Sequence, residues 1–305
     1  MEVVNLEKLV NLEEKCAVAI GFFDGVHLGH QKVINNAVNY AKENQIKSVV
    51  ITFDRSPKVA LGAIKNEGCL TPTAEKLRIL EGLGVDYTLV LKFDTTFLNL
   101  SADAFVNDYL LKVKACYVSV GFDFRFGQGG LGNTDLLLRR DEFRVEVSEA
   151  VQMDGVKVST TAIKNCLKLG DLESVNQMLG RHFSVSGEVV KGCQLGRAIG
   201  FPTANLKPDE AYLLSLRGVY ATISHVDETC FLSMTNIGIN PTVNLQASTS
   251  IETYIFDFDA DIYDKKMRIA FLSKIRDEIK FDSLDALVDQ LEKDKRVVNA
   301  MLIKA

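Results

Sequence analysis

The chain has 305 residues, of which 47% are hydrophobic and 25% are charged, the composition of an ordinary globular protein. At roughly 150 residues per domain, this length predicts two domains. The net charge is −5, so the chain lacks the excess of basic residues with which proteins bind a nucleic-acid backbone. We therefore expect no nucleic-acid partner. It has no run of about 18 apolar residues, so we expect no membrane span.

The cysteines indicate the cellular compartment of the protein, and the histidines indicate a candidate functional site. Six cysteines are scattered without a metal-ligand spacing, which is typical of free thiols in a reducing compartment. The amino terminus is acidic and lacks the apolar core of a signal peptide, so we expect a cytoplasmic protein. Two of the four histidines, His27 and His30, lie close together and mark a candidate site.

The first half of the chain alternates apolar runs with helical patterns. The apolar runs predict strands at residues 16–23, 47–53, 87–93, 116–121 and 143–151. The amphipathic patterns predict helices at residues 31–44, 75–81, 101–111, 134–140, 159–169 and 171–179. We expect a threonine to cap the helix at 75–81, and Ser159 and Asp171 to cap the last two. Strands that alternate with helices indicate a parallel, doubly wound sheet.

The second half of the chain has a different pattern, which begins near residue 182. Candidate strands follow one another with little helix between them, at residues 184–190, 218–226, 231–236, 252–258 and 267–272. One helix is predicted at 284–293, after a Ser283 cap. Successive strands joined by turns indicate a mostly antiparallel barrel or sandwich. We therefore predict two domains, 1–182 and 183–305.

The first chemical motif is the segment 21–30, Gly-Phe-Phe-Asp-Gly-Val-His-Leu-Gly-His. It joins the first strand to the first helix, where a doubly wound sheet binds its ligand. The helix start attracts phosphate, and His27 and His30 are one helical turn apart, so both can face the same ligand. The backbone can approach a ligand at three glycines, Gly21, Gly25 and Gly29.

This motif resembles a known family. His-x-Gly-His resembles the signature of the nucleotidyltransferase superfamily, and the whole segment resembles the bacterial bifunctional riboflavin kinases/FMN adenylyltransferases. Further segments resemble that family in order, at residues 52–57, 120–127, 158–161 with Lys164, and 179–181. The resemblance covers nearly the whole chain. It implies a Rossmann-like nucleotidyltransferase domain followed by a β-barrel riboflavin kinase domain.

The resemblance also implies roles in adenylyl transfer, in which the FMN phosphate attacks the α-phosphorus of ATP with the help of Mg²⁺. His27 and His30 would stabilise the transferring and leaving phosphates, and the helix start at Ser159 would hold the triphosphate. The residues expected to bind ATP or its phosphates in this domain are Gly21, Phe23, Asp24, Gly25, Gly29, Asp123, Ser159, Thr160, Thr161 and Lys164.

Four positions depart from the family pattern, and Arg55, which replaces a proline, is one of them. Ser56 replaces a histidine, and Ala162 and Lys164 replace arginines. Lysine keeps the charge but loses the bidentate fork of arginine, and we consider Arg55 as a partial replacement. These departures leave open a riboflavin kinase with impaired adenylyl transfer. A flavin-binding regulatory protein without turnover and a nucleotidyltransferase for another acceptor, such as a phosphopantetheine-type substrate, are further alternatives.

The second chemical motif follows the first strand of the second half. Gly192, Gly196 and Gly200, together with Arg197, can surround an ATP phosphate. The segment 202–205, Pro-Thr-Ala-Asn, resembles the riboflavin kinase signature, and the resemblance implies that Thr203 and Asn205 hold Mg²⁺.

The second site must also bind the flavin beside the ATP phosphates. In the reaction that the resemblance implies, a neutral hydroxyl of riboflavin is phosphorylated and a base must accept its proton. Glu252 matches the catalytic glutamate of the family and is the expected base. Asn236 and Arg276 are expected flavin contacts. The acidic segment 257–261 lacks the glycine and glutamate of a calcium loop, so we expect an ordinary turn between strands.

Overall fold

The computed structural model describes residues 1–6, 8, 14–56, 59, 62, 68–192, 195–240 and 248–302. Contacts along the chain group it into two units, Met1–Ala162 and Ile163–Ala305. The predicted domain boundary after residue 182 stays a prediction. Among the described residues, no helix is both long enough and apolar enough to cross a membrane.

The first unit is built on a parallel sheet. Its strands are β1 (Glu2–Val4), β2 (Cys16–Ile20), β3 (Lys47–Phe53), β4 (Tyr87–Leu91) and β5 (Ala115–Gly121), followed by the hairpin pair β6 (Arg125–Phe126) and β7 (Gly132–Asn133), then β8 (Arg144–Ser148) and the hairpin pair β9 (Gln152–Met153) and β10 (Val156–Lys157). Six of them form one sheet in the order β1–β4–β3–β2–β5–β8, and each pair is parallel. The predicted doubly wound sheet is confirmed.

Helices connect the strands of this sheet. They are α1 (Leu28–Glu43), α2 (Thr73–Gly82), α3 (Thr95–Leu98), α4 (Ala102–Phe105) with a π-helical turn at Val106–Leu111, α5 (Thr134–Leu138) and α6 (Thr160–Leu169), which runs on into the second unit. The residue before α2 is Pro72, which makes no side-chain capping bond, so the predicted threonine cap was wrong. Proline already fixes a backbone angle suited to the first turn.

The order of strands creates a crevice in the first unit. β2 lies centrally; β3 and β4 extend the sheet on one side of it, and β5 and β8 on the other. The loops that follow β2 and β5 therefore diverge, and ligands of doubly wound sheets bind in the gap between such loops. All five residues of β2 are buried, as expected of a central parallel strand.

The second unit contains a closed barrel of antiparallel strands. Its elements are α7 (Leu172–Leu179), β11 (Phe183–Val190), α8 (Leu195–Ala198), β12 (Thr203–Pro208), β13 (Gly218–Val226), β14 (Thr229–Asn240), β15 (Ser248–Ile255), β16 (Lys266–Arg276) and α9 (Leu284–Leu302). The barrel closes in the order β11–β12–β15–β14–β13–β16. This confirms a barrel and excludes the sandwich. Helix α9 extends nine residues beyond its predicted end at residue 293.

Side chains alternate between the inside and outside of this barrel. Met234 packs with Val298 of α9, so its face is the outer one. The neighbouring residue Thr235 points the other way, and its hydroxyl meets that of Thr253 at 2.9 Å inside the barrel. Residues 236 and 252 consequently lie on the outer face, because successive strand residues point to opposite sides.

Candidate active sites

A cavity of about 1380 Å³ opens where β2 and β5 end. Binding pockets for a single small molecule span roughly 300–1,000 Å³, so this cavity has room for two substrates. Most of the residues predicted for the first site line it, namely Gly21, Phe23, His27, Gly29, His30, Asp123, Ser159, Thr160 and Thr161.

The two histidines stack at the start of α1. Their ring centroids are 3.6 Å apart, with 19° between the planes. His27 is the N-cap residue, and its Nδ1 accepts a hydrogen bond from the backbone N–H of His30 at 3.3 Å. An accepting Nδ1 leaves Nε2 to carry the proton, so His27 can donate from Nε2 at the phosphate-attracting end of the helix.

The turn that leads to these histidines has a strained backbone. Phe23 has φ = 54° and Val26 has φ = 38°, which is rare for any residue with a side chain and rarest for a β-branched one. Gly25, at φ = 92°, adopts a conformation open to glycine at little cost. Strain of this kind persists only where surrounding contacts hold it, and it concentrates at functional sites.

Gly21 and Gly29 are required for packing as well as for ligand approach. A side chain at Gly21 would lie 2.6 Å from the ring of Phe23, and one at Gly29 would lie 3.2 Å from the ring of His27. Close approach of a ligand is the only role that the sequence predicts for these glycines. In the structure they make room for two rings of the site itself.

Asp24 has a role that the sequence analysis missed. It is only 4% exposed, and its Oδ1 accepts hydrogen bonds from the N–H groups of Leu70 and Thr71 at 2.8 and 3.1 Å. Its carbonyl accepts one from the Thr160 hydroxyl at 2.9 Å. Asp24 therefore ties the turn to two other segments. It lies outside the residues that line the cavity, and its contact with phosphate stays a prediction, as does that of Gly25.

The start of α6 lies at the wall of the cavity. The predicted cap is confirmed, since the Ser159 hydroxyl accepts from the N–H of Ala162 at 3.2 Å. Thr160 and Thr161 follow it and line the cavity. Lys164 lies one turn further along the helix and is not among the lining residues, so its phosphate contact stays a prediction.

Lys157 is a cavity residue that the sequence analysis missed. Its ammonium lies 3.2 Å from the carboxylate of Asp123 and 4.3 Å from the centre of the Phe122 ring. Both partners of the ion pair are well exposed, at 46% and 66%, so the pair is weak and either group can turn to a ligand. Nothing in the sequence around this lone lysine distinguishes it from a surface lysine.

Arg55 does not point into the cavity. It lies outside the lining residues and donates to Asp54 at 3.0 and 3.2 Å. Burial raises the pKa of Asp54, but hydrogen bonds from Arg55 and from the N–H of Phe93 outweigh it and leave that pKa below its usual value. The geometry therefore does not support Arg55 as a replacement phosphate ligand. Pro57 of the same motif lies outside the described residues.

The second site begins at the glycine loop before β12. A side chain at Gly192 would overlap the carboxamide of Asn205, and one at Gly196 would overlap the carbonyl of Phe201 and lie 3.4 Å from the Thr203 hydroxyl. The loop thus packs directly on the two predicted metal ligands. Gly200 has φ = 82°, a conformation that favours glycine.

A cavity of about 240 Å³ lies beside this loop. Gly192, Arg197, Thr203 and Asn205 line it, together with the loop 258–263 that joins β15 to β16. Gly196 and Gly200 shape the loop but are not among the lining residues, so their phosphate contacts stay predictions. The acidic segment 257–261 is a connection between strands, as expected, but its place in the cavity wall was missed.

Glu252 lies between two predicted site residues. It is directly opposite Asn205 on β12 and Asn236 on β14, and side chains at such positions share one face with Cβ atoms about 4.5–5.5 Å apart. Burial raises the pKa of the Glu252 carboxyl, because a low-dielectric environment disfavours its charged form. Glu252 is not among the residues lining the 240 Å³ cavity; it lies in the row of side chains next to it.

Arg276 is occupied by a partner within the protein. Its guanidinium makes two hydrogen bonds to the carboxylate of Asp294, of 2.9 and 3.1 Å from Nε, and a further contact of 2.8 Å from Nη2. Its Nη1 donates to the carbonyl of Asp277 at 3.0 Å. These bonds fasten α9 to β16. The predicted flavin contact of Arg276 stays a prediction, and the structure gives this side chain a structural role.

Comparison with known proteins decides the family. The family model described as FAD synthetase matches residues 10–162, and the one described as riboflavin kinase matches residues 179–302. A bifunctional riboflavin kinase/FMN adenylyltransferase of Listeria monocytogenes is 40% identical over 94% of this chain and 92% of its own length. This chain belongs to the bifunctional riboflavin kinase/FMN adenylyltransferase family.

Two further relatives support this assignment. The bifunctional riboflavin kinase/FMN adenylyltransferase of Bacillus subtilis is 35% identical over 93% of this chain and 92% of its own length. A crystal structure from Streptococcus pneumoniae, described as a macrolide-efflux protein, superposes with a TM-score of 0.87 at 31% identity and covers 97% of this chain and 98% of that one. The resemblance seen in the sequence motifs is confirmed, and the fold is shared over almost the full length.

The residues present suit a magnesium-dependent member of this family. Thr203 and Asn205 are two residues apart on one strand, so a hydroxyl and a carboxamide oxygen face the same way. Such oxygen ligands suit Mg²⁺ when ATP phosphates supply the negative charge. Among the residues that the structure describes, no cluster of three or more His, Cys, Asp or Glu side chains could hold a metal by itself.

Proposed function

We propose that this chain phosphorylates riboflavin to FMN with ATP and then adenylylates FMN to FAD with a second ATP, releasing pyrophosphate. The observation that carries the proposal is that each unit holds its own cavity beside a glycine-rich phosphate motif. Each motif falls in the segment matched by the corresponding family model. The substrates are small molecules, and five free cysteines, Cys16, Cys69, Cys116, Cys166 and Cys230, support a reducing, cytoplasmic location.

In the first reaction, the 5′-hydroxyl of riboflavin attacks the γ-phosphorus of ATP. The hydroxyl is neutral, so a base must accept its proton as the phosphoryl group moves. Glu252 supplies that base. Its position between Asn205 and Asn236 would place the proton acceptor between the metal-bound phosphates and the flavin.

Thr203 and Asn205 would hold Mg²⁺, which supplies charge neutralisation for the transferred phosphoryl group. The glycine loop holds both residues in place, because Gly192 packs against the carboxamide of Asn205. Arg197 lines the cavity, and its guanidinium would neutralise the phosphate charge that Mg²⁺ leaves.

In the second reaction, a phosphate oxygen of FMN attacks the α-phosphorus of ATP, and pyrophosphate leaves. The nucleophile is already an anion, so the protein needs no base and contributes alignment and charge stabilisation. His27 and His30 would donate to the transferred and leaving phosphates. The N–H groups at the start of α6, where the Thr160 hydroxyl donates to the carbonyl of Asp24, would hold the triphosphate.

The alternatives are less well supported. Ser56, Ala162 and Lys164 favour a protein limited to riboflavin phosphorylation. However, both histidines line a cavity with room for FMN and ATP together, and the similar Listeria and Bacillus proteins are named for both activities. A regulatory protein without turnover, or an enzyme for another acceptor, would not need a base in register with the predicted metal ligand.

One incubation tests the proposal. Purified protein is mixed with riboflavin, ATP and Mg²⁺, and the products are separated by chromatography over time. FMN that appears first and is then converted to FAD is the expected result. FMN without FAD would support the kinase-only alternative, and unchanged riboflavin would contradict the proposal.

A further inference from the structure

A buried lysine lies behind the first cavity. Lys76, on α2, is only 2% exposed. Its ammonium donates to the carbonyl of Phe22 at 2.8 Å, to the hydroxyl of Thr52 at 3.2 Å and to the carbonyl of Phe53 at 3.3 Å. These three acceptors lie where β2 and β3 end, at the edge of the sheet that carries the site.

Packing alone does not explain a lysine at this position. Ile79 and Leu80 are buried on the same helix, and residues 76, 79 and 80 share one face of a helix. An apolar residue at 76 would continue this stripe without taking a charge out of water, which is unfavourable. The ammonium is therefore placed at some cost to stability, which points to a role in the neighbouring site.

The ammonium holds the residue at which the strained turn begins. The carbonyl of Phe22 also accepts from the Thr52 hydroxyl, at 3.0 Å, and the ring of Phe22 lies 4.5 Å from the ammonium. Both the backbone and the side chain of Phe22 are thus fixed. The two residues with positive φ values, Phe23 and Val26, come after Phe22 in the chain. The turn then ends at His27.

We propose that Lys76 is a positioning residue for adenylyl transfer. By fixing Phe22 it maintains the strained conformation of the turn, and the turn places His27 and His30 against the transferred phosphate. Lys76 does not line the cavity, so it acts through the turn rather than on the substrates. This inference rests on the proposed adenylyl transfer.

The test compares three variants in both reactions. Lys76→Met keeps the length and apolar stem of the side chain but removes the ammonium, Lys76→Arg restores a positive charge, and Lys42→Met is a control at an exposed position of α1. FAD formation is measured from supplied FMN and ATP, with kcat and both KM values determined separately. Riboflavin phosphorylation by the same samples reports on the second site.

A misplacement of about 1 Å at a reacting centre lowers the rate by about 10²-fold. We expect Lys76→Met to lower kcat for FAD formation by about 10–100-fold, with KM values near those of the wild type and riboflavin phosphorylation unchanged. Lys76→Arg should recover part of kcat, and Lys42→Met should behave as the wild type. An unchanged kcat in Lys76→Met, or a loss confined to KM, would overturn the inference.

A folding defect is separated by a second variant. Thr52→Val removes the hydroxyl shared by Lys76 and Phe22 while keeping the shape of a fully buried side chain. If Lys76→Met does not fold at the assay temperature, Thr52→Val must show the same selective loss of kcat, to a smaller extent, or the inference fails. A wild-type protein that makes no FAD would instead contradict the proposed function.

Discussion

Asn205 and Glu252 are directly opposite each other on the antiparallel strands β12 and β15. The pairing places the carboxamide that we propose as a ligand for Mg²⁺ beside a carboxyl group whose pKa is raised by burial. In phosphoryl transfer to an alcohol, metal ions neutralise charge on the phosphates and a base accepts the proton of the hydroxyl. A cross-strand pair holds the two groups proposed for these roles at a fixed spacing.

Replacing Glu252 tests its role as the base. Glu252→Gln keeps the shape of the side chain but cannot accept a proton, so riboflavin phosphorylation should fall by about 10²–10⁴-fold. FAD formation from supplied FMN should not change. Product chromatography with each substrate measures both rates, and Glu228→Gln, at an exposed turn position, is the control. Full riboflavin phosphorylation in Glu252→Gln would rule out this base.

The pH dependence of riboflavin phosphorylation follows from the same carboxyl. Only its deprotonated form can accept a proton, and burial raises its pKa, so activity should decline with falling pH at a higher pH than for an exposed glutamate. The acid limb of the kcat/KM profile measures this pKa. In Glu252→Gln the residual activity should lose that limb; a limb of the same midpoint in the variant would assign it to another group.

His30→Ala should impair the other reaction. Removing one group that stabilises transition-state charge costs about 10²–10³-fold in rate, and we expect that loss in FAD formation from FMN. Riboflavin phosphorylation should continue at the wild-type rate, as measured in the same preparation. His182→Ala, outside the lining residues of both cavities, is the matched control. Equal FAD formation by His30→Ala and the wild type would remove His30 from the site.

Lys157 should contribute to substrate binding in the first cavity. Losing one charge-assisted hydrogen bond to phosphate raises KM about tenfold, so we expect that increase for ATP or FMN in Lys157→Ala. Lys157→Arg should stay near the wild type. Because exposed charges are screened by salt, the difference between Lys157→Ala and the wild type should shrink at high ionic strength. A KM difference that is the same at all salt concentrations would contradict an electrostatic role.

The pair between Arg276 and Asp294 should stabilise the second unit. Removing one partner of a buried ion pair costs about 3–5 kcal/mol, and both side chains here are largely buried. Asp294→Leu should therefore lower the denaturant midpoint for unfolding of the barrel, followed by circular dichroism. The double variant Arg276→Met/Asp294→Leu should recover most of the loss. If Arg276→Met instead kept full stability and raised KM for riboflavin, the flavin contact predicted from the sequence would be correct.

Local patterns were sufficient to predict much of the fold. The helical spacing of apolar residues in the predicted helix 31–44 places Val33, Ile34, Ala37, Val38 and Ala41 on one face, and these are the residues that α1 buries. Strand β13 has the predicted bounds. Strand β12 was missed because its residues, Thr203–Pro208, include polar side chains and end in proline, so that no apolar alternation marks them.

The parts of the sites that could not be predicted depend on partners distant in sequence. Asp24 binds the N–H groups of residues 70 and 71, and Arg276 binds Asp294 on the last helix. Lys76 looks like a surface residue in the sequence, and only the ends of β2 and β3 show why it is buried. Motifs identified residue types that bind phosphate, but tertiary contacts decide which of them face the cavity.

We propose that the chain carries one site in each unit, and that the FMN made at the second site is the substrate of the first. Mixing Glu252→Gln with His30→Ala, in the presence of riboflavin, ATP and Mg²⁺, tests it most directly. Neither variant alone should convert riboflavin to FAD at an appreciable rate, whereas the mixture should do so, with FMN as the intermediate. A mixture that forms no more FAD than the separate variants would contradict two independent sites.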